Sequence, residues 1–277
     1  MEFQIVVDSC CDLTPELKSA LGAAVIPLTI MLGNESFIDD GTLDIPDFMK
    51  KMKACTEKIG SAAPSPILFK EAYMDAGACF AVTLSGNLSA SYANAVLGKT
   101  LAEEEGGAGI HVFDSKSASA GEVLVAIELK RLIGTGLNKD EIITSLETFI
   151  RGVKTYFVLN NLDNLLKNGR LNKIVGKIIG LLGIKPLMGS DGDGNIALYG
   201  SAFGPDQVVE KLAGTVAKQG RDTAGRTLVI AQSNNTELAE KLRQTLAKRY
   251  DFKDILVVPT RGVSSVYADD GGVVMAY

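Results

Sequence analysis

Histidine is nearly missing from this 277-residue chain: His111 is the only one. A serine-histidine-aspartate relay needs an imidazole next to its serine. His111 opens a predicted strand well away from the hydroxyl-rich loops, so hydrolysis of that kind is poorly supported and no catalytic residue is assigned. Cysteine is also scarce. Cys10 and Cys11 are adjacent while Cys55 and Cys79 stand alone, a spacing that fits neither a zinc ribbon nor a redox Cys-x-x-Cys pair, and no metal site is expected. Burial as small hydrophobes is the expected role of Cys55 and Cys79. Basic residues form no stripe, and the net charge is −5, which argues against a nucleic-acid surface. The apolar run from Ile174 to Ile184 is too short for a bilayer span, which takes about 20 residues. Residues 1–15 pass straight into a strand pattern with no basic leader or small-residue cleavage site, so a cytoplasmic location is expected. No internal repeat, low-complexity tract or long linker is visible.

Two partial motifs fail on inspection. Gly98-Lys99-Thr100 resembles the end of a phosphate-binding loop, but Ala93 stands where the earlier glycine is required. Asp191-Gly192-Asp193-Gly194-Asn195 imitates the start of a calcium loop, yet its twelfth position is Ala202, and a hairpin turn is expected instead.

What is present is a soluble globular composition, 46% hydrophobic and 22% charged, with strands and helices in alternation. Strands are predicted at Phe3–Val7, Val25–Leu32, Phe80–Leu84 and Ile110–Phe113. Helices are predicted at 12–21, where Thr14 and Pro15 make a good start, and at 44–58, 67–76, 88–104, 118–134 and 138–150. This β-α-β-α rhythm implies an open parallel sheet whose ligands sit beyond the carboxyl ends of its strands. Asp8-Ser9, Ser85-Gly86 and Asp114-Ser115 each follow a predicted strand and should converge on one crevice. From Tyr156 onward the pattern is mixed, with strands near 153–158, 195–203, 227–232 and 254–258 and helices at 206–218 and 236–249.

Ser85-Gly86-Asn87 breaks a β-branched run just before helical spacing begins. Hydroxyls and unpaired N–H groups at such a start suit an anion, although Ser and Asn there are also ordinary helix caps. A second hydroxyl loop, Ser61 to Pro66, lies upstream. Arg170, beside Gly169, reads equally as a residue near a helix C-terminus.

Asp8-Ser9-Cys10-Cys11-Asp12-Leu13, Pro64-Ser65-Pro66, Leu84-Ser85-Gly86-Asn87-Leu88-Ser89, Val112-Phe113-Asp114-Ser115-Lys116-Ser117, Asn168-Gly169-Arg170-Leu171 and Gly183-Ile184-Lys185-Pro186 occur in this order. Together they resemble the DegV family of bacterial fatty-acid-binding proteins, from about residue 3 to Tyr277. The resemblance implies a two-domain α/β fold: an N-terminal domain (1–155) with an open, mostly parallel sheet and helices on both faces, and a C-terminal mixed α/β domain (156–277). The ligand would lie in the crevice between them.

It further implies a non-enzymatic carrier of a long-chain fatty acid, with no other cofactor. Ser61, where relatives usually have threonine, and Ser85 would hold the carboxylate. Gly86, Ser89, Asp8, Ser9, Ser115, Arg170, Tyr267, Gly271 and Gly272 would support the site, and Ile174, Ile178, Leu181 and Leu182 would line the acyl tunnel. A separate fatty acid kinase subunit is the implied partner. The chain departs from the family pattern where that partner matters. Tyr267 stands where a histidine is expected, Phe203 lies in a segment that is usually basic, and Asp269-Asp270 adds negative charge close by. A serine-dependent acyl or phosphoryl enzyme and a lipid-responsive interaction protein without a kinase remain as alternatives. Lys116 follows Ser115 directly, which gives a Ser-Lys pair weak geometry.

Overall fold

The computed structural model describes residues 3–171, 176, 184–220 and 222–277. Its first half runs β1 (Gln4–Asp8), α1 (Pro15–Leu21), β2 (Ala23–Ile26), β3 (Thr29–Leu32), β4 (Glu35–Ile38), α2 (Ile45–Ala54), β5 (Ile59–Ala62), α3 (Pro66–Ala76), β6 (Cys79–Thr83), α4 (Ser91–Glu104), β7 (His111–Asp114), α5 (Ala120–Ile133) and α6 (Lys139–Gly152). The second half runs β8 (Thr155–Val158), α7 (Asp163–Lys167), β9 (Lys185–Ser190), β10 (Ile196–Ala202), α8 (Gly204–Lys218), β11 (Thr227–Gln232), α9 (Thr236–Arg249), β12 (Asp254–Pro259), α10 (Gly262–Ala268) and β13 (Val273–Ala276).

Three sheets organise these elements. The order β2-β1-β6-β7 is parallel throughout, β4-β3-β5 is a small antiparallel sheet, and β10-β9-β8-β13-β11-β12 is mixed. Strands β1 and β6 are apolar along nearly their whole length because both faces are covered. On one face Phe69 and Tyr73 of α3 and Ala95 of α4 pack against Val6 and Ala81. On the other, Val123, Leu124 and Ala126 of α5 pack against Ile5, Phe80 and Val82, and the same cluster takes in Val229, Ala231, Val258 and Ala276 of the mixed sheet. Helix α5 is therefore a shared core element. Its buried positions run nearly all the way round, which explains its apolar character.

Where structure and expectation part, pairing decides. Val25–Leu32 is two strands, not one. Pro27 has no N–H to extend the ladder, and the chain leaves the parallel sheet there to begin β3 in the antiparallel one. Ile59–Ala62, expected to be part of a loop, is strand β5, held by β3 with Ser61 opposite Ile30. Gly98-Lys99-Thr100 lies in the middle of α4, not in a loop. Asp191 to Asn195 makes the turn between β9 and β10, and no metal-binding cluster occurs among the described residues.

Candidate functional site

Loops at the carboxyl ends of β1, β6 and β7 do meet. The buried Asp8 carboxylate accepts the Leu84 N–H at 3.0 Å and the Ser91 hydroxyl at 2.6 Å, while Asp114 accepts the Gly86 N–H at 3.2 Å. Ser9 Oγ accepts the Leu28 N–H at 3.0 Å. Asp8, Ser9, Gly86 and Asp114 frame the crevice and do not line it. Burial pushes Asp8 up to about 6 and the nearby Asp12 up to about 7, and it raises Glu122 well above its ordinary range. Glu122 is fully buried beside Asp8, a setting that disfavours its charged form.

Between the sheets lies a cavity with about 890 Å³ of unfilled space, part of it open to solvent. Its wall is largely aliphatic and aromatic: Leu28, Leu84 and Leu88 from the first half, and Phe157, Leu159, Leu165, Ile196, Val263 and Val274 from the second. Thr155, Phe157 and Leu159 fall on one face because side chains along a strand alternate.

A polar station closes one stretch of this wall. Ser61 Oγ lies 2.8 Å from the Tyr267 phenol oxygen, and the Arg170 guanidinium sits over the Tyr267 ring, 5.1 Å from its centroid. Arg170 follows the end of α7 through Gly169, whose φ of 76° gives the left-handed turn that glycine adopts without strain. Its guanidinium donates to the Asn168 carbonyl at 2.8 Å and makes no carboxylate ion pair among the described residues. Arg170 therefore lies just past a helix end and also lines the cavity. Ser89 lines the cavity too, and its Oγ accepts the Ser91 N–H at 3.1 Å.

Ser85 sits one layer behind. It is fully buried, donates to the Gly194 carbonyl at 2.8 Å and accepts the Asn87 N–H at 3.2 Å. The β9–β10 turn therefore lies over it, held further by Asn87 Nδ2 donating to the Asp193 carbonyl at 2.7 Å. Other expected residues also stay out of the wall. Ser115 donates to the Ser117 carbonyl, Gly86 is engaged with Asp114, and Gly271 and Gly272 form a turn beside Asn160. Ser115 is thus not paired with Lys116, which removes the geometry of a Ser-Lys nucleophile. Ile174, Ile178, Leu181 and Leu182 lie outside the described residues.

Ser117, Ser119, Thr155, Ser190 and Ser264, given no role from the sequence, line the cavity, as does Lys116, which was weighed only as a partner of Ser115. Lys116 and Ser119 adopt φ of 51° and 56°, unusual for residues other than glycine, so the segment before α5 is held in a strained conformation. Cys10 reaches the wall and Cys11 does not. Burial drives both thiols well above their ordinary range, which leaves them unreactive.

A fold of this topology, with an apolar cavity between two sheets and hydroxyls with an arginine at its edge, defines a small-molecule binding protein. The chain belongs to the DegV family, whose model, described as that of an uncharacterised protein family, matches residues 2–277. It is 39% identical to a DegV protein of Ruminococcus gnavus refined with vaccenic acid, covering 100% of this chain and 99% of that one at a TM-score of 0.95. It is 35% identical to the Streptococcus pneumoniae fatty acid kinase B3 protein loaded with linoleic acid, with the same coverage and a TM-score of 0.91. A DegV domain-containing protein of Streptococcus pyogenes is 36% identical over 280 residues, spanning 100% of this chain and 99% of that protein.

Proposed function

We propose that this chain binds a long-chain fatty acid in the cavity between its two domains, 1–155 and 156–277, for delivery or for activation by a separate kinase. The observation that carries the proposal is the apolar wall ending at Ser61, Tyr267 and Arg170. Burying each methylene contributes about 0.8 kcal/mol, so a long chain supplies on the order of 10 kcal/mol before the cost of association. The carboxylate needs compensation, because an unpaired charge out of water costs several kcal/mol. Ser61 and Tyr267 share one hydrogen bond between two hydroxyls, which leaves one O–H to donate, and Arg170 adds positive charge. Ser85 supplies a further donor by exchanging the Gly194 carbonyl for the ligand, a movement that requires the β9–β10 turn to shift.

Among the described residues no helix is long and apolar enough to cross a membrane. A cytoplasmic carrier that meets the lipid as a dissolved or handed-over molecule fits this chain. Its kinase partnership is weakened relative to the family pattern: Tyr267 replaces the expected histidine, and Phe203 is 58% exposed where basic residues are expected. Incubation with a fatty acid kinase and ATP should give little acyl phosphate, and Tyr267→His should raise it; strong turnover by the unmodified chain would overturn the weakened partnership.

Native mass spectrometry of freshly purified protein, followed by denaturing extraction, tests the carrier proposal directly. One fatty acid per chain is expected. A protein that carries none and rejects added palmitate and oleate would refute the proposal.

A further inference from the structure

Two cations stand in the described wall of the cavity, Arg170 and Lys116, and no aspartate or glutamate does. In a chain of net charge −5, a wall with that balance favours an anionic occupant. Arg170 belongs to the station formed by Ser61 and Tyr267, whereas Lys116 stands beside Ser85.

The backbone of Lys116 is fixed. Its N–H donates to Asp114 at 2.8 Å, its carbonyl accepts the Ser190 hydroxyl at 3.2 Å, and the next carbonyl, that of Ser117, accepts the Ser85 N–H at 2.7 Å. These bonds hold a lysine at a φ of 51°, in the left-handed region that favours glycine. The ammonium is held far more loosely. It lies 3.8 Å from the Asp193 carboxylate, with side chains 37% and 83% exposed, and an ion pair so long and so exposed contributes little.

Its reach follows from Gly194. A Cβ there would overlap the Ser85 hydroxyl and lie 3.1 Å from Lys116 Cα. The lysine stem, about 6 Å from Cα to Nζ by standard bond lengths, therefore spans the gap to Ser85. Leu84 and Ala118, close to Ser85 and Lys116 in the chain, pack in the cluster that includes Tyr267, so the two cationic stations share one packed wall. The turn that carries Asp193 is also the one whose Gly194 carbonyl occupies the Ser85 hydroxyl. Moving it frees that hydroxyl and the ammonium together. An ammonium donating to a carboxylate makes a charge-assisted hydrogen bond, which an alcohol head group does not offer.

We propose that Lys116 is a second head-group cation: it exchanges Asp193 for the carboxylate of the bound acid as the β9–β10 turn moves, and so selects ionised acids over neutral lipids of equal length. This rests on the carrier reading above, in which Ser85 meets the carboxylate.

Titrations of the full chain with oleate and with oleyl alcohol, which keeps the chain and loses the charge, test the assignment. Lys116→Met preserves the length of the stem; it should weaken oleate binding by about tenfold or more and leave oleyl alcohol within about threefold. Lys116→Arg should keep most of the oleate affinity. Asp193→Asn removes the competing carboxylate, so oleate should bind equally well or more tightly. A Lys116→Met protein that binds oleate as the unmodified chain does would overturn the proposal and leave the carrier reading standing. An equal loss of both lipids in that variant would overturn it as well. So would a loss of oleate binding that Asp193→Asn reproduces, because the lysine would then act only by pinning the turn. If neither lipid binds the unmodified protein, the carrier reading falls and the role of Lys116 with it.

Discussion

Ser61 and Tyr267 meet across 206 residues of sequence, and the hydrogen bond between them places a hydroxyl proton at the cavity wall. Removing it should matter to a charged head group more than to the fold. Ser61→Ala is expected to weaken fatty-acid binding by about tenfold or more, the value of a hydrogen bond to a charged group, with the melting temperature nearly unchanged; equal affinity in a lipid titration would remove Ser61 from the head-group site. Asp12 gives a residue-scale prediction about pH. Its folded value is about 7 against an ordinary 3.8, raised by burial, so the folded state keeps a proton that the unfolded chain releases. The stability this contributes is complete below about pH 4 and is lost as pH rises toward 7. Asp12→Asn keeps an acceptor for the Arg261 N–H and should flatten the decline between pH 4 and 7 in denaturant titrations; an unchanged slope would mean that Asp12 does not carry it.

At the scale of elements, the β9–β10 turn and the loop after β6 form one unit. Gly194 has a φ of 90°, and a Cβ there would overlap the Ser85 hydroxyl. Gly194→Ala should therefore destabilise the protein by about 1–3 kcal/mol through backbone strain and displacement of the turn, read as a lower denaturation midpoint with an unchanged slope. Hydrogen exchange should quicken in the turn and at Asn87, whose N–H Ser85 now holds. How much of this was legible in the sequence varies by element. One strong local signal was readable: Thr14 before Pro15 caps α1. The convergence of Asp8, Ser85 and Asp114 followed from the rule that loops at the carboxyl ends of parallel strands meet. Strand β5 was not readable, because Ile-Gly-Ser-Ala has little β preference and is extended only through its pairing with β3. Strand β13 and helix α10, which carries Tyr267, depend in the same way on distant partners. The Ser85 hydroxyl was foreseen at the wall and is found behind it, since only the folded chain brings the Gly194 carbonyl within reach.

For the whole molecule, α5 determines how the halves behave. Its buried side chains touch β6 of the parallel sheet and β11 and β13 of the mixed sheet within one cluster. Exposing either sheet strips one side of the same helix, so the two halves should unfold together. A single denaturation transition is expected, with amides of β6 and β11 exchanging at similar free energies; two separated transitions would show the halves to be independent.

The cavity wall draws on both sides of this arrangement, with Ser61, Leu88 and Ser117 from the first half and Phe157, Arg170 and Tyr267 from the second. A molecule seated there touches a surface that exists only while the two parts are joined, so its affinity becomes a measure of their union. Ligand present at a hundred times its dissociation constant would add about 2.7 kcal/mol to the folded state. The chain's resistance to heat would then report the supply of its cargo, and a starved cell would hold a measurably softer population of it than a fed one.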